Sequence, residues 1–216
     1  MSLKVIITGA TGMVGEGVFL DCLENPEVSH VLIINRKHYD LEHPKLKELL
    51  VPDFFELDRH SETLKGYDAC FFCAGISSFG MSEEKFTKIT YDTTLSFAKT
   101  LVAVNPQMVF TYVSGLYTDS SEKGKVMWAR VKGKTENDLI KLPFKGVYAF
   151  RPGAMLPVKD QKNWKLAYEV LTKIIRFFAP KNVLSLHEVG RAMVNVCKKG
   201  YPKKVLEIAD IKQLST

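Results

Sequence analysis

Gly9, Gly12 and Gly15 recur at three-residue intervals in Thr8-Gly9-Ala10-Thr11-Gly12-Met13-Val14-Gly15, directly after an apolar run from Leu3 to Thr8. A helical pattern opens at the same place. Glycine at these positions does three different jobs: it permits a tight turn at Gly9, lets backbone approach a pyrophosphate at Gly12, and allows close packing of helix on strand at Gly15. The exposed N–H groups of the turn and first helical residues, from Thr11 through Met13 and Val14, then receive the phosphates. A glycine pattern alone is a weak signal; on a strand-to-helix junction it points to dinucleotide binding.

The residues ending the next strand bear on which dinucleotide. A carboxylate there commonly accepts from the ribose hydroxyls of NAD. This sequence instead reads Asn35-Arg36-Lys37. Arg36 can hold a phosphate through two parallel hydrogen bonds, and Lys37 adds a point charge, so NADP(H) is expected in preference to NAD(H). Asp58, at the end of an expected third strand, is placed to accept from the adenine amino group. Cys73-Ala74-Gly75, ending a fourth, would lay small residues against the adenosine side.

These residues need a scaffold that brings several strand ends to one edge. Apolar runs of strand length alternate with helical segments, as in βαβ units around a parallel sheet. Strands are expected at Leu3 to Thr8, Val31 to Ile34, Phe54 to Leu57, Asp68 to Ala74, Met108 to Ser114, Val147 to Phe150 and Val205 to Ile208. Helices are expected from about Gly12 to Asn25, Ser82 to Val104, Lys125 to Lys141, Trp164 to Phe178 and Leu186 to Lys199. The fold class is therefore α/β: one Rossmann domain over residues 1–216, with a doubly wound, mostly parallel sheet and helices on both faces. The small region after Arg151 would complete a substrate pocket, with Met155, Leu156, Trp164 and Tyr168 as lining.

Composition narrows the field. With 216 residues, 46% hydrophobic and 25% charged, the chain has material for an ordinary globular core. Its longest apolar run is far short of the roughly 20 residues that span a bilayer, and no signal peptide is evident, so a cytoplasmic protein without a membrane span is expected. The net charge of +6 is dispersed along the chain without aromatic interleaving, which argues against nucleic acid as a partner. Cys22, Cys70, Cys73 and Cys197 are too scattered for a disulfide framework. Cys70 and Cys73 sit on opposite faces of an apolar strand, which reads as inert core. The five histidines lack paired metal-ligand spacing, and no metal is expected.

Thr8 to Gly15, Phe72-Cys73-Ala74-Gly75, Tyr112-Val113-Ser114, Val131-Lys132-Gly133 and Phe150-Arg151-Pro152-Gly153 together resemble the atypical or extended branch of the short-chain dehydrogenase/reductase superfamily. The similarity extends over most of the chain. It looks closest to the NAD(P)-binding, epimerase-like proteins related to the Tat-interacting tumour-suppressor protein. The resemblance implies an oxidoreductase or epimerase-like activity on a small carbonyl or sugar-type substrate, and family members often associate into oligomers. It also implies that Arg151-Pro152-Gly153 forms the loop whose backbone approaches the nicotinamide.

In that superfamily a serine orients the substrate oxygen, while a tyrosine and a lysine spaced Y-x-x-x-K carry the proton chemistry and hold the nicotinamide ribose. Ser114 and Lys132 match the serine and the lysine, but the tyrosine position is Trp128. An indole N–H donates a hydrogen bond but does not titrate in a useful range. Three readings follow. Another phenol replaces the missing one, with Tyr117 nearest in sequence and Tyr112 and Tyr91 as further candidates; a substrate group or water supplies the proton; or the chain binds NADP(H) without turnover, as a regulator or interaction protein.

Overall fold

The computed structural model describes residues 2–164, 172, 177, 179 and 182–216. Strands β1 (Leu3–Thr8), β2 (Val28–Asn35), β3 (Leu46–Leu50), β4 (Ala69–Phe72), β5 (Val109–Val113), β6 (Gly146–Phe150) and a later pair (Val205–Leu206) form one parallel sheet. A separate two-stranded piece joins β7 (Ala154–Leu156) to β8 (Val183–Ser185), so the Val205–Leu206 strand is β9. The strand order β3-β2-β1-β4-β5-β6-β9 reverses direction between β1 and β4, and such a switch point is where open α/β sheets bind ligands.

Alternation along the strands explains why helices cover both faces. Val5, Ile7, Val31, Ile33, Ala69 and Phe71 turn to one side, under α1 (Met13–Glu24), α6 (Leu186–Lys199) and α7 (Ile208–Ser215). Ile6, Leu32, Ile34, Cys70, Phe72, Phe110 and Tyr112 turn to the other, under α4 (Thr93–Val104) and α5 (Met127–Ile140). Each fully buried side chain of this size contributes about 1.5–3 kcal/mol by leaving water, so two faces of such residues fix the strand register firmly. Cys70 and Cys73 do fall in different layers, and burial pushes the Cys73 thiol up to about 12.

The third strand lies elsewhere than the sequence suggests. Leu46–Leu50 is the edge strand, whereas Phe54 to Leu57 belongs to a 3₁₀ segment spanning Phe54–His60, started by Asp53 Oδ1 accepting from Phe55 N–H at 3.0 Å. A short helix, α2 (Ser61–Leu64), follows it. The long helix expected from Ser82 to Val104 is present as α3 (Glu83–Thr87), a π-helical turn (Lys88–Asp92) and α4. β7, β8 and α7 carry too few residues for their periodicity to stand out. The helix expected from Trp164 to Phe178, and with it Tyr168, falls largely outside the described residues.

At the first strand-helix junction Gly9 takes φ +75, and a Cβ on it would lie 2.8 Å from Ala74 N. A Cβ on Gly15 would lie 2.2 Å from the Gly9 carbonyl oxygen. Gly15→Ala must therefore move α1 away from β1; it should lower stability in urea by about 1–3 kcal/mol, the usual cost of overpacking, and weaken any nucleotide bound at the turn. An unchanged unfolding midpoint would show that the junction has slack.

Candidate functional site

The parallel register sets the site. Thr8 pairs with Phe72, Phe72 with Tyr112, and Val113 with Phe150, so the segments that follow these strands all emerge at one edge of the sheet. Thr8 reinforces this: buried, its hydroxyl oxygen accepts from the N–H of Cys73 at 3.2 Å and of Ala74 at 3.1 Å, tying the phosphate turn to the end of β4. Gly12 caps α1 without a side-chain hydrogen bond, so its first amides are left to an external acceptor.

A cleft of about 390 Å³ opens beside the turn. The structure brings Gly9, Thr11, Gly12, Asn35, Arg36, Cys73, Ala74 and Gly75 to its walls. Met13, Val14 and Gly15 lie just behind it in α1. Arg36 and Lys37 are exposed past the end of β2. The Glu48 carboxylate beside β2 is already engaged, with Asn35 Nδ2 at 3.1 Å, Tyr39 N–H at 2.9 Å and His38, and these donors hold its carboxyl below its ordinary range against the opposing effect of burial. Asn35 Oδ1 remains buried without a hydrogen-bond partner.

Asp58 is a correction. It sits on the exposed side of the 3₁₀ segment, where Oδ1 accepts from Arg59 N–H at 3.0 Å, and it does not line the cleft. The carboxylate that does is Asp53, five residues earlier, joined by Phe54 and, from the π-helical turn and α4, by Ile89 and Thr93. The signal was available in Val51-Pro52-Asp53, where an apolar run ends in proline and a capping residue.

Further along the same edge, Ser114 is buried and its hydroxyl pairs with that of Thr118 at 2.8 Å; Thr118 also donates to the Gly115 carbonyl at 2.8 Å. Lys132 Nζ donates to the Ser114 backbone carbonyl at 3.2 Å and lies 5.7 Å from the Tyr112 ring centroid. A Cβ on Gly133 would overlap the Asp119 carbonyl, so the loop after Ser114 lies flat on α5 and Lys132 meets Ser114. Burial lowers the Lys132 ammonium to about 8, with Glu136 opposing the shift.

The three tyrosines are placed elsewhere. Tyr117 is 81% exposed with φ 66 and bonds neither Ser114 nor Lys132. Tyr91 donates to Asp138 Oδ2 at 2.7 Å, and Tyr112 is buried with its phenol raised by desolvation. Trp128 is partly buried at the start of α5, beside Gly115.

The Arg151 side chain is held inside the fold. Its guanidinium turns inward, bonding Glu136 Oε1 at 3.0 Å and Oε2 at 2.5 Å, Ser120 Oγ at 2.6 Å and Glu207 Oε1 at 3.2 Å. In the backbone of this loop, Arg151 N–H donates to the Leu206 carbonyl at 2.9 Å and the Pro152 carbonyl accepts from Leu116 N–H at 3.2 Å. Met155 is buried in the core instead of lining a pocket, while Leu156 and Trp164 are partly exposed.

The segment after β7 is latched over α1 by Glu16. This fully buried carboxylate accepts from Tyr39 Oη at 2.6 Å, Lys162 N–H at 3.0 Å and Asn163 N–H at 2.6 Å, while Gln161 Nε2 donates to Met13 O at 2.6 Å.

Among solved structures, the chain superposes on ADP-L-glycero-D-manno-heptose-6-epimerase of Helicobacter pylori with a TM-score of 0.70 and 16% identity, covering 95% of this chain and 75% of that one. WbmF of Bordetella bronchiseptica, in complex with NAD+, gives 0.69 and 15%, covering 99% and 76%. A short chain dehydrogenase of Burkholderia cenocepacia, in complex with NADP, gives 0.70 and 13%, covering 98% and 92%. The fold is thus the Rossmann-like one of these epimerase and dehydrogenase structures. No protein-family model matches the sequence. The chain is 30% identical over 169 residues to Protein FMP52, mitochondrial, of Candida albicans, covering 74% of this chain and 71% of that one. It is 26% identical over 197 residues to Protein HTATIP2 of Rattus norvegicus, covering 89% and 80%. It belongs to their family, an atypical branch of the short-chain dehydrogenase/reductases.

No helix among the described residues is long and apolar enough to cross a membrane, and no group of metal-ligating side chains gathers there. Removing Arg151 would strand the fully buried Glu136 carboxylate. Arg151→Met should cost about 3–5 kcal/mol in urea unfolding, and adding Glu136→Leu should restore much of it; equal loss in both variants would show that the ion pair is not what matters.

Proposed function

We propose that the chain binds NADP(H) and acts as an oxidoreductase or epimerase-like enzyme on a small carbonyl or sugar-type substrate. The observation that carries the reading is the cleft at the ends of β1, β2 and β4. Arg36 stands in its wall, while the neighbouring Glu48 carboxylate is already engaged by Asn35, Tyr39 and His38. The residues present fit a dinucleotide: Gly9 and Gly15 form a cradle in which a Cβ would collide with backbone, and the buried Asn35 Oδ1 awaits a donor.

In this reading the Gly9 to Gly15 turn and the first amides of α1 hold the pyrophosphate, Arg36 with Lys37 takes the 2′-phosphate, and Asp53 with Cys73-Ala74-Gly75 borders the adenosine. The backbone of Arg151-Pro152-Gly153 and Lys132 face the nicotinamide end, and Ser114 orients a substrate oxygen. The bound nicotinamide would supply hydride transfer, the chemistry that no side chain offers. The likeness to FMP52 and HTATIP2, and to proteins solved with NAD+ and NADP, supports a nicotinamide cofactor. Trp128 at the tyrosine position favours a second reading, an NADP(H)-binding regulator without turnover.

Arg36→Ala should weaken NADPH binding by about 1.5–3 kcal/mol, the range for hydrogen bonds to charged groups, and leave NADH nearly unchanged in calorimetry. Equal loss for both would remove Arg36 from the 2′-phosphate. Turnover of a panel of aldehydes, ketones and quinones above background oxidation separates enzyme from regulator.

A further inference from the structure

We infer that Lys132 Nζ is itself the proton donor and acceptor of the site, in place of the phenol that Trp128 has displaced. The inference rests on the proposed function and assigns the step that function leaves open.

Three observations on placement carry it. Among the described residues no other titrating group is in position: Tyr117 stands in solvent, Tyr91 is bonded to Asp138, and Tyr112 is buried beneath the amine and presents its ring. Among the described residues Lys132 forms no ion pair, because the carboxylate one turn further along α5, Glu136, is held on both oxygens by Arg151 from the end of β6. Its one hydrogen bond among the described residues goes to the Ser114 carbonyl, which leaves two N–H donors for a ligand beside the Ser114 and Thr118 hydroxyls. The groups on packed elements otherwise face away: Asp138 takes Tyr91, and Glu83 of α3 takes Arg130. An ammonium placed in this way gives up its proton near neutrality, and Lys132 is lowered to about 8.

In the reductive direction the carbonyl carbon accepts a hydride from a reduced nicotinamide, the C=O pair moves onto oxygen, and Lys132 transfers its proton to that oxygen. The neutral amine recovers a proton from water. One carbonyl, one reduced nicotinamide and one proton thus give one alcohol and one oxidised nicotinamide.

The test uses the full chain saturated with NADPH, 4-nitrobenzaldehyde as the carbonyl probe, and the variants Lys132→Arg and Lys132→Met, each also titrated calorimetrically with NADPH. Wild-type reduction should decline above about pH 8. Lys132→Arg, permanently charged, should still bind NADPH but lose turnover by at least about 100-fold, the low end of general acid catalysis. A readout independent of activity is the unfolding midpoint of the free protein. The fold disfavours the charged amine, so between about pH 8 and the unfolded value of about 10.4 the unfolded chain holds more protons, and wild type should gain stability relative to Lys132→Met as pH rises. Lys132→Arg with wild-type turnover and pH profile would overturn the inference and leave the cofactor reading standing. Bound NADPH without reduction of the probe by wild type would also overturn it, in favour of the regulator. Failure of wild type to bind NADPH would remove the proposed function itself.

Discussion

Everything at the carboxyl edge of the sheet depends on how closely the first turn of α1 sits against the end of β1. The Gly9 carbonyl occupies the space a side chain on Gly15 would need, and the Ala74 backbone occupies the space a side chain on Gly9 would need. Thr8 then fixes β4 to the same point through two backbone amides. Two strands and a helix start are thereby drawn to one spot, with helix amides left uncapped and a cleft beside them. An anion at that spot meets oriented N–H dipoles that cost no rearrangement when it arrives.

The buried charges show the same economy of position. Glu16 lies in the first turn of α1, where a free carboxylate would compete with any anion at the helix start; its oxygens accept from Tyr39 and two backbone amides of the segment beyond β7. Glu136 lies one turn beyond Lys132 and would be the natural counter-ion for it, but Arg151 claims both of its oxygens. Arg151 thus leaves Lys132 without a carboxylate partner among the described residues. Removing either member of such a pair is far more costly than the pair is stabilising, so neighbouring positions are held in a fixed arrangement.

The doubly wound sheet, the glycine turn and the Arg36 position were legible because each announces itself locally: continuous apolar runs such as Val31 to Ile34, and glycines on a strand-to-helix junction. β3 was not. Leu46-Lys47-Glu48-Leu49-Leu50 uses residue types that favour helices, and as an edge strand with one neighbour it alternates only weakly between core and solvent. Misplacing it moved the expected cleft carboxylate from Asp53 to Asp58. The inward turn of Arg151 was equally hidden, because its partners Glu136, Ser120 and Glu207 are remote in sequence and meet only once β6, α5 and β9 are assembled. Trp128, by contrast, was plain from the family resemblance that places Lys132, and among the described residues no nearby phenol takes its place.

The central claim is that this edge holds a nicotinamide dinucleotide and reads its 2′-phosphate. Calorimetric titration of the wild-type chain with NADPH and, separately, NADH tests it most directly. The account predicts saturable NADPH binding with markedly weaker NADH binding; no heat or saturation with either nucleotide would contradict it.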